Sequence, residues 1–274
     1  MAIAKKPRLF AALFMAIASP LTLSASQADM GLAPLRQVLS EEHREAAFTV
    51  SNPSDRIMDA TVSWTDLAAT ETGYAPAAPE LRAELSAAPW LFVSPAHFRL
   101  KPGARQLVTV RVKDGAALPD GERRSHLLIE TQASRSAIRK ASAGLQVDVS
   151  LGLSAPVLLR HGGGKAKAKI ANVRLLRDDD GLLMLETAIE PTGDWSSFGR
   201  LVVTYTPEGG EKELLGLREN VAGFTDAALR KVTIPFGYVS LSAGELVVRY
   251  EGAAEFSGVV FDERAFDIAP PEDG

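Results

Sequence analysis

Histidine is the first place to look for side-chain chemistry in this chain. Its four copies, His43, His97, His126 and His161, stand far apart, without the close pairing that holds a metal ion. The absence of cysteine removes thiol catalysis, Cys-ligated metals and disulfides together. Neither a Gly-x-Ser-x-Gly elbow nor a glycine-rich phosphate loop stands between a strand and a helix. Asp178, Asp179 and Asp180 abut Gly181 and read as a hairpin turn, not as an acid–base pair. What remains is the chemistry of the backbone. Leu145, Val147, Val149, Leu151 and Leu153 alternate strictly, after a loop carrying Arg135, Arg139 and Lys140. Such a strand either fills its own core or offers alternate large side chains and a free edge to another polypeptide. The expectation is a binding protein with no enzymatic step, no cofactor and no metal.

The first residues say where it works. Lys5, Lys6 and Arg8 precede an apolar run over 9–18, and Ser26 and Ala28 form a small-x-small site before Asp29. That is the pattern of a cleavable signal peptide over 1–28, with an apolar core too short for a span of about 20 residues. Its removal takes away three positive charges and no acid, so the formal charge moves from −4 to −7. An acidic exported chain argues against nucleic acid or anionic lipid as the main partner, and since nothing later in the sequence resembles a transmembrane segment, no stable membrane insertion is expected.

The remaining residues suffice for two domains of ordinary size. Gly162, Gly163 and Gly164 punctuate the chain after His161 and mark the boundary, giving 29–160 and 161–274. Short β-rich segments recur on both sides: 46–50, 60–64, 106–112, 126–131 and 145–153 before it, then 169–176, 182–189, 199–206, 231–235, 245–250 and 259–266. Asn-Pro, Pro-Gly and Asp-Gly turns between them predict antiparallel sandwiches, an all-β fold with one short helix over 79–86. Trp64 is expected in the core.

Several segments together carry a resemblance. Arg36-Gln-Val-Leu39, the run from Ala47 to Arg56 with its Asn-Pro, Val62-Ser-Trp64, Phe98-Arg-Leu-Lys-Pro-Gly103, residues 107–112, and the run from Leu118 to His126 resemble, in order and spacing, the first domain of PapD-like periplasmic pilus chaperones. Residues 181–185 and 242–250 are similar to the second domain more weakly. The resemblance implies two immunoglobulin-like domains in a boomerang. It implies a periplasmic, ATP-independent chaperone of fimbrial biogenesis, which lends a strand to a pilus, fimbrial or coat-like secreted subunit and passes it to an outer-membrane usher. Strand addition of this kind completes an unfinished sandwich and hides its aggregation-prone edge.

The resemblance also assigns residues. Leu145, Val147, Val149, Leu151 and Leu153 occupy the place of the donor strand, and Arg36 that of an arginine which grips the subunit's C-terminal carboxylate. The family's second cation, a lysine ending the donor strand, is missing, because Pro156 or Leu151 falls there according to the alignment chosen. Arg36 alone, or another base such as Arg123, Arg124 or Lys165, has to serve. Arg160 is expected at the domain junction in an interdomain salt bridge with Glu122. A secreted two-domain adhesin or structural binding protein is the alternative that sequence leaves open, since sandwiches host many functions.

Overall fold

The computed structural model describes residues 30–133 and 150–269. The first sandwich contains β1 (Gly31–Ala33), β2 (Gln37–Leu39), β3 (Glu45–Ser51), β4 (Met58–Thr65), the small hairpin β5 (Leu67–Ala69) and β6 (Tyr74–Pro76), and helix α1 (Pro79–Leu85). It continues with β7 (Leu91–Ser94), β8 (His97–Leu100), β9 (Arg105–Val112), β10 (Gly121–Ala133) and β11 (Ser150–His161). The second contains β12 (Ala168–Arg177), β13 (Leu183–Pro191), β14 (Ser197–Pro207), β15 (Glu213–Gly223), β16 (Arg230–Gly237), β17 (Gly244–Gly252) and β18 (Val260–Ile268).

Strand order shows the immunoglobulin-like plan. One sheet of the first sandwich runs β1-β3-β9-β7 and the other β2-β11-β10-β4-β8. Where the chain passes from one sheet to the other between β1 and β2 and between β7 and β8, a cis proline, Pro34 or Pro95, stands at the crossing. The second sandwich packs β12-β13-β16 against β15-β14-β17-β18. Each has its own core: Leu39, Phe48, Val62, Leu100, Val108, Leu127 and Val157 in the first, Ile170, Leu185, Leu201, Val203, Val248 and Tyr250 in the second. These residues come from alternate positions of their strands, which is why one face of each sheet is sealed and the other polar. Trp64 packs half-buried at the margin of the first core.

Three differences from expectation have simple causes. Of the strand expected over 145–153, residues 145–149 lie outside the described residues, and 150–153 belong to a strand that runs on to His161, so that Gly152, Ser154 and Pro156 lie within β11. Those residues belong to the outward-facing set, while Leu153, Ala155, Val157 and Leu159 point to the core, and a glance for apolar runs misses such a strand. The edge strand β15 escapes for the same reason: Glu213, Arg218, Glu219 and Asn220 sit on an exposed ribbon that shifts register twice against β14. The short strands β1, β2, β7 and β8 are each too brief to show a period. Helix α1 does fall where Pro79 at its first turn and Glu80 favour a start.

Candidate functional site

Strand β11 is flanked by β10 along its whole length and by β2 over only three residues, Val157, Leu158 and Leu159, which run parallel to Gln37, Val38 and Leu39. Among the described residues, no strand pairs with the outer edge of β11 over 150–156. The facing of that edge follows from Pro156. It stands opposite His126 in an unbroken antiparallel register and has no N–H, so this pair is a non-hydrogen-bonded one. By alternation, Gly152, Ser154 and Leu158 also turn their backbone groups away from β10. Leu158 is taken by β2; Gly152 and Ser154 face outward on the open stretch.

The open stretch ends at Arg36, the residue immediately before β2 and therefore alongside the Pro156–Val157 step. Arg36 is gripped. Its Nη1 and Nη2 donate to Glu255 Oε2 and Oε1 at 2.9 and 2.7 Å, a bidentate pair, and its guanidinium lies 4.7 Å over the Phe198 ring. Its side chain is only 7% exposed and its Nε has no partner among the described residues. Glu255 belongs to the 3-10 turn Ala254–Phe256 between β17 and β18, so this contact joins the two sandwiches.

Arg160 meets the same carboxylate. It donates from Nη1 to Glu255 Oε1 at 3.0 Å, from Nε to Glu122 Oε2 at 2.7 Å and from Nη2 to the Ser196 carbonyl at 2.9 Å. Trp195 and Phe256 lie against its guanidinium face. Glu122 and Arg160 are cross-strand partners on β10 and β11, so their ion pair lies within one sandwich. The interdomain links are made by each partner separately, Arg160 as described and Glu122 by accepting from Ser196 N and Ser196 Oγ. Burial raises the Glu255 carboxyl, but the hydrogen bonds and charge of Arg36, with Arg160 behind it, outweigh that and hold it below the usual carboxylate range. Around these groups opens a cleft of about 710 Å³ with Glu41, Glu42, His43 and Glu45 on its rim.

The other bases considered from sequence go elsewhere. Arg123 donates to the Ala83 carbonyl and lies over Trp90, Arg124 is bound to Asp226 and the Leu67 carbonyl, and Lys165 does not line the cleft. Gly164 belongs to the packed junction: a Cβ there would strike the Trp195 indole. Of the donor residues, Leu145, Val147 and Val149 lie outside the described residues. Leu151 stands opposite Thr131 on the backbone ladder, and Leu153 is half-buried against the core of its own sandwich. Glu255, Ser196, Trp195, Phe198 and Phe256 were not singled out from sequence. They come from the approach to and start of β14 and from the turn after β17, 35–96 residues beyond Arg160, and nothing in their spacing signals that they converge on it.

A second junction lies on the far side of β10. Arg124 donates from Nη1 and Nη2 to the two oxygens of Asp226 at 2.8 Å each, and Asp226 also accepts from Ala69 N–H at 2.8 Å. Phe224 lies 4.1 Å beneath the guanidinium, and Tyr74 packs edge-on against His126 at 4.7 Å. Burial, and then the charge of Arg124, push His126 down to about 4, and neither ring nitrogen has a partner among the described residues. Burial raises the Asp226 carboxyl, yet the bonds and charge of Arg124 prevail and leave it lowered.

No protein-family model matches this chain, and no curated protein does. Among solved structures, the YadV chaperone superposes over 88% of this chain and 100% of its own at 10% identity and a TM-score of 0.44. The Salmonella enterica SafA pilin in complex with the SafB chaperone matches over 89% and 99% at 17% identity and 0.43. The CsuC–CsuE chaperone–tip adhesion subunit pre-assembly complex of Acinetobacter baumannii matches over 88% and 99% at 11% identity and 0.41. Identities are low and the superpositions loose. Among the described residues, no helix is long and apolar enough to cross a membrane.

Proposed function

We propose that the chain is a periplasmic chaperone that caps a pilus, fimbrial or coat-like subunit by lending it the open edge of β11, and hands it to an outer-membrane usher without consuming ATP. Residues 29–160 then form the strand-lending domain and 161–274 the second domain, behind a signal peptide over 1–28. The observation that carries this reading is the edge over 150–156, which no strand pairs among the described residues and which runs directly into Arg36.

Geometry favours one orientation for the client. Since β2 runs parallel to β11, a strand laid on the open edge in the same direction would be collinear with β2 and would end, C-terminus first, at Arg36. A free carboxylate arriving there meets a guanidinium able to take it bidentately. The lent strand satisfies the client's bare edge, and apolar side chains of the donor segment would add about 1.5 to 3 kcal/mol for each one fully buried, before ordering costs. Release needs only a better-fitting strand at the usher. No bond is made or broken, so no catalytic step enters.

The test is co-purification from periplasmic extract with Ser154→Pro beside the wild type. Proline at 154 removes an outward N–H and leaves pairing with β10 untouched, because that position does not donate to β10. A small secreted β-protein should accompany the wild type and be lost from the variant, as it should be from a Val149→Glu, Leu151→Glu variant that is still exported. Equal recovery by all three would sink the lent-edge mechanism.

A further inference from the structure

We infer that Arg160 is the second cation of the carboxylate anchor and that Glu255 is its resident occupant, displaced when the C-terminal carboxylate of a client strand arrives. This rests on the strand-lending reading above and adds to it the regulation of the same site. The starting point is a charge count: two guanidiniums, Arg36 and Arg160, converge on one carboxylate, and Glu122 balances Arg160 from the other side. The site is neutral as it stands. A client carboxylate added to it would face Glu255 at contact distance, and two carboxylates cannot share one pair of arginines without a cost.

One of the two must therefore leave, and exposure says which can. Arg36, Arg160 and Glu122 are 7%, 5% and 4% exposed, whereas Glu255 is 29% exposed. Glu255 is carried on the short turn Ala254–Phe256, at the mouth of the cleft, while Arg160 sits on the β10–β11 ladder and Arg36 directly precedes the paired strand β2. Swinging the Glu255 side chain into the cleft exposes a bidentate slot on Arg36 and an Nη1 on Arg160 that points into the same space. Arg160 thus supplies the cation that Pro156 cannot, from four residues further along β11. Since the slot is filled in the resting protein, apparent affinity for a carboxylate terminus is reduced by the fraction of time Glu255 is away. The latch holds the two sandwiches together when there is no client, and gives up that contact to a chain end of the same chemistry.

The experiment uses the full mature chain and two fluorescent octapeptides of alternating Thr and Val, one with a free C-terminal carboxylate and one amidated, read by anisotropy. Glu255→Gln should bind the free-acid peptide about tenfold more tightly than the wild type does and leave the amide unchanged. Adding Arg160→Ala to Glu255→Gln should erase that gain. Glu255→Asp, which keeps the charge and retreats by one methylene, should fall between and serves if the Gln variant does not fold. Equal tightening of both peptides, or no tightening of the acid, overturns the latch while the open edge stands. If neither peptide binds any form, or if Ser154→Pro leaves peptide binding intact, the strand-lending reading falls and the latch with it.

Discussion

The two junctions between the sandwiches are built from the same parts and sealed to different degrees. At each, an arginine on an aromatic platform takes a carboxylate bidentately, Arg124 with Asp226 over Phe224 and Arg36 with Glu255 over Phe198. Arg124 and Asp226 are 2% and 11% exposed, and Asp226 is held further by a backbone N–H. Glu255 is open to a cleft, and apart from its own backbone N–H its described partners are the side chains of Arg36 and Arg160. The same pair of functional groups is a weld where water and competitors are excluded, and an exchangeable contact where they are admitted.

The comparison breaks first at Arg124. Replacing it with Ala leaves Asp226 buried and unpaired, and should cost about 3–5 kcal/mol in urea unfolding, without changing peptide selectivity in the fraction that stays folded. A loss no larger than that of Arg36→Ala would mean the two junctions are alike. Lowering pH should come next. His126 titrates lower in the folded protein than in the unfolded one, so its contribution is complete above about 6.5 and is lost as pH falls toward about 4. Over that window roughly 3 kcal/mol should disappear, and His126→Phe should flatten this part of the curve. The lowered Asp226 and Glu255 carboxyls act in the same sense, their contributions being lost only as pH falls below the usual carboxylate range.

Arg36→Ala should cost less stability, about 1 kcal/mol, because Glu255 keeps Arg160, yet it should remove most of the preference for a free C-terminal carboxylate. Retained preference would place the anchor elsewhere. Smallest of all is Lys231→Ala. Lys231 and Glu71 form an ion pair between the sandwiches with both side chains more than half exposed, and its removal should shift unfolding by no more than about 0.5 kcal/mol. A larger loss would show that exposure does not rank these contacts.

Sequence carried the element types well wherever a strand has one sealed face. The alternation in residues 106–112 or 245–250 needs no tertiary information, because burial on one side of a pleat forces a period of two. It failed at β15 and at the β2 and β8 crossings, where edge position or brevity removes the signal. At the site, Arg36 was legible only through a family resemblance, and Arg160 was placed at the junction without its role in the cleft. Glu255 was invisible: it lies 219 residues from Arg36, in a turn whose local sequence says only that the chain reverses.

The order of residues by itself determined two cores and an acidic, cysteine-free composition, since those depend on residue content and on period. Which edge stays open, where it ends, and which carboxylate sits on which arginine were decided by tertiary structure alone. Such pairings are set by contacts between segments distant in the chain, and a guanidinium accepts any carboxylate that the fold brings within reach.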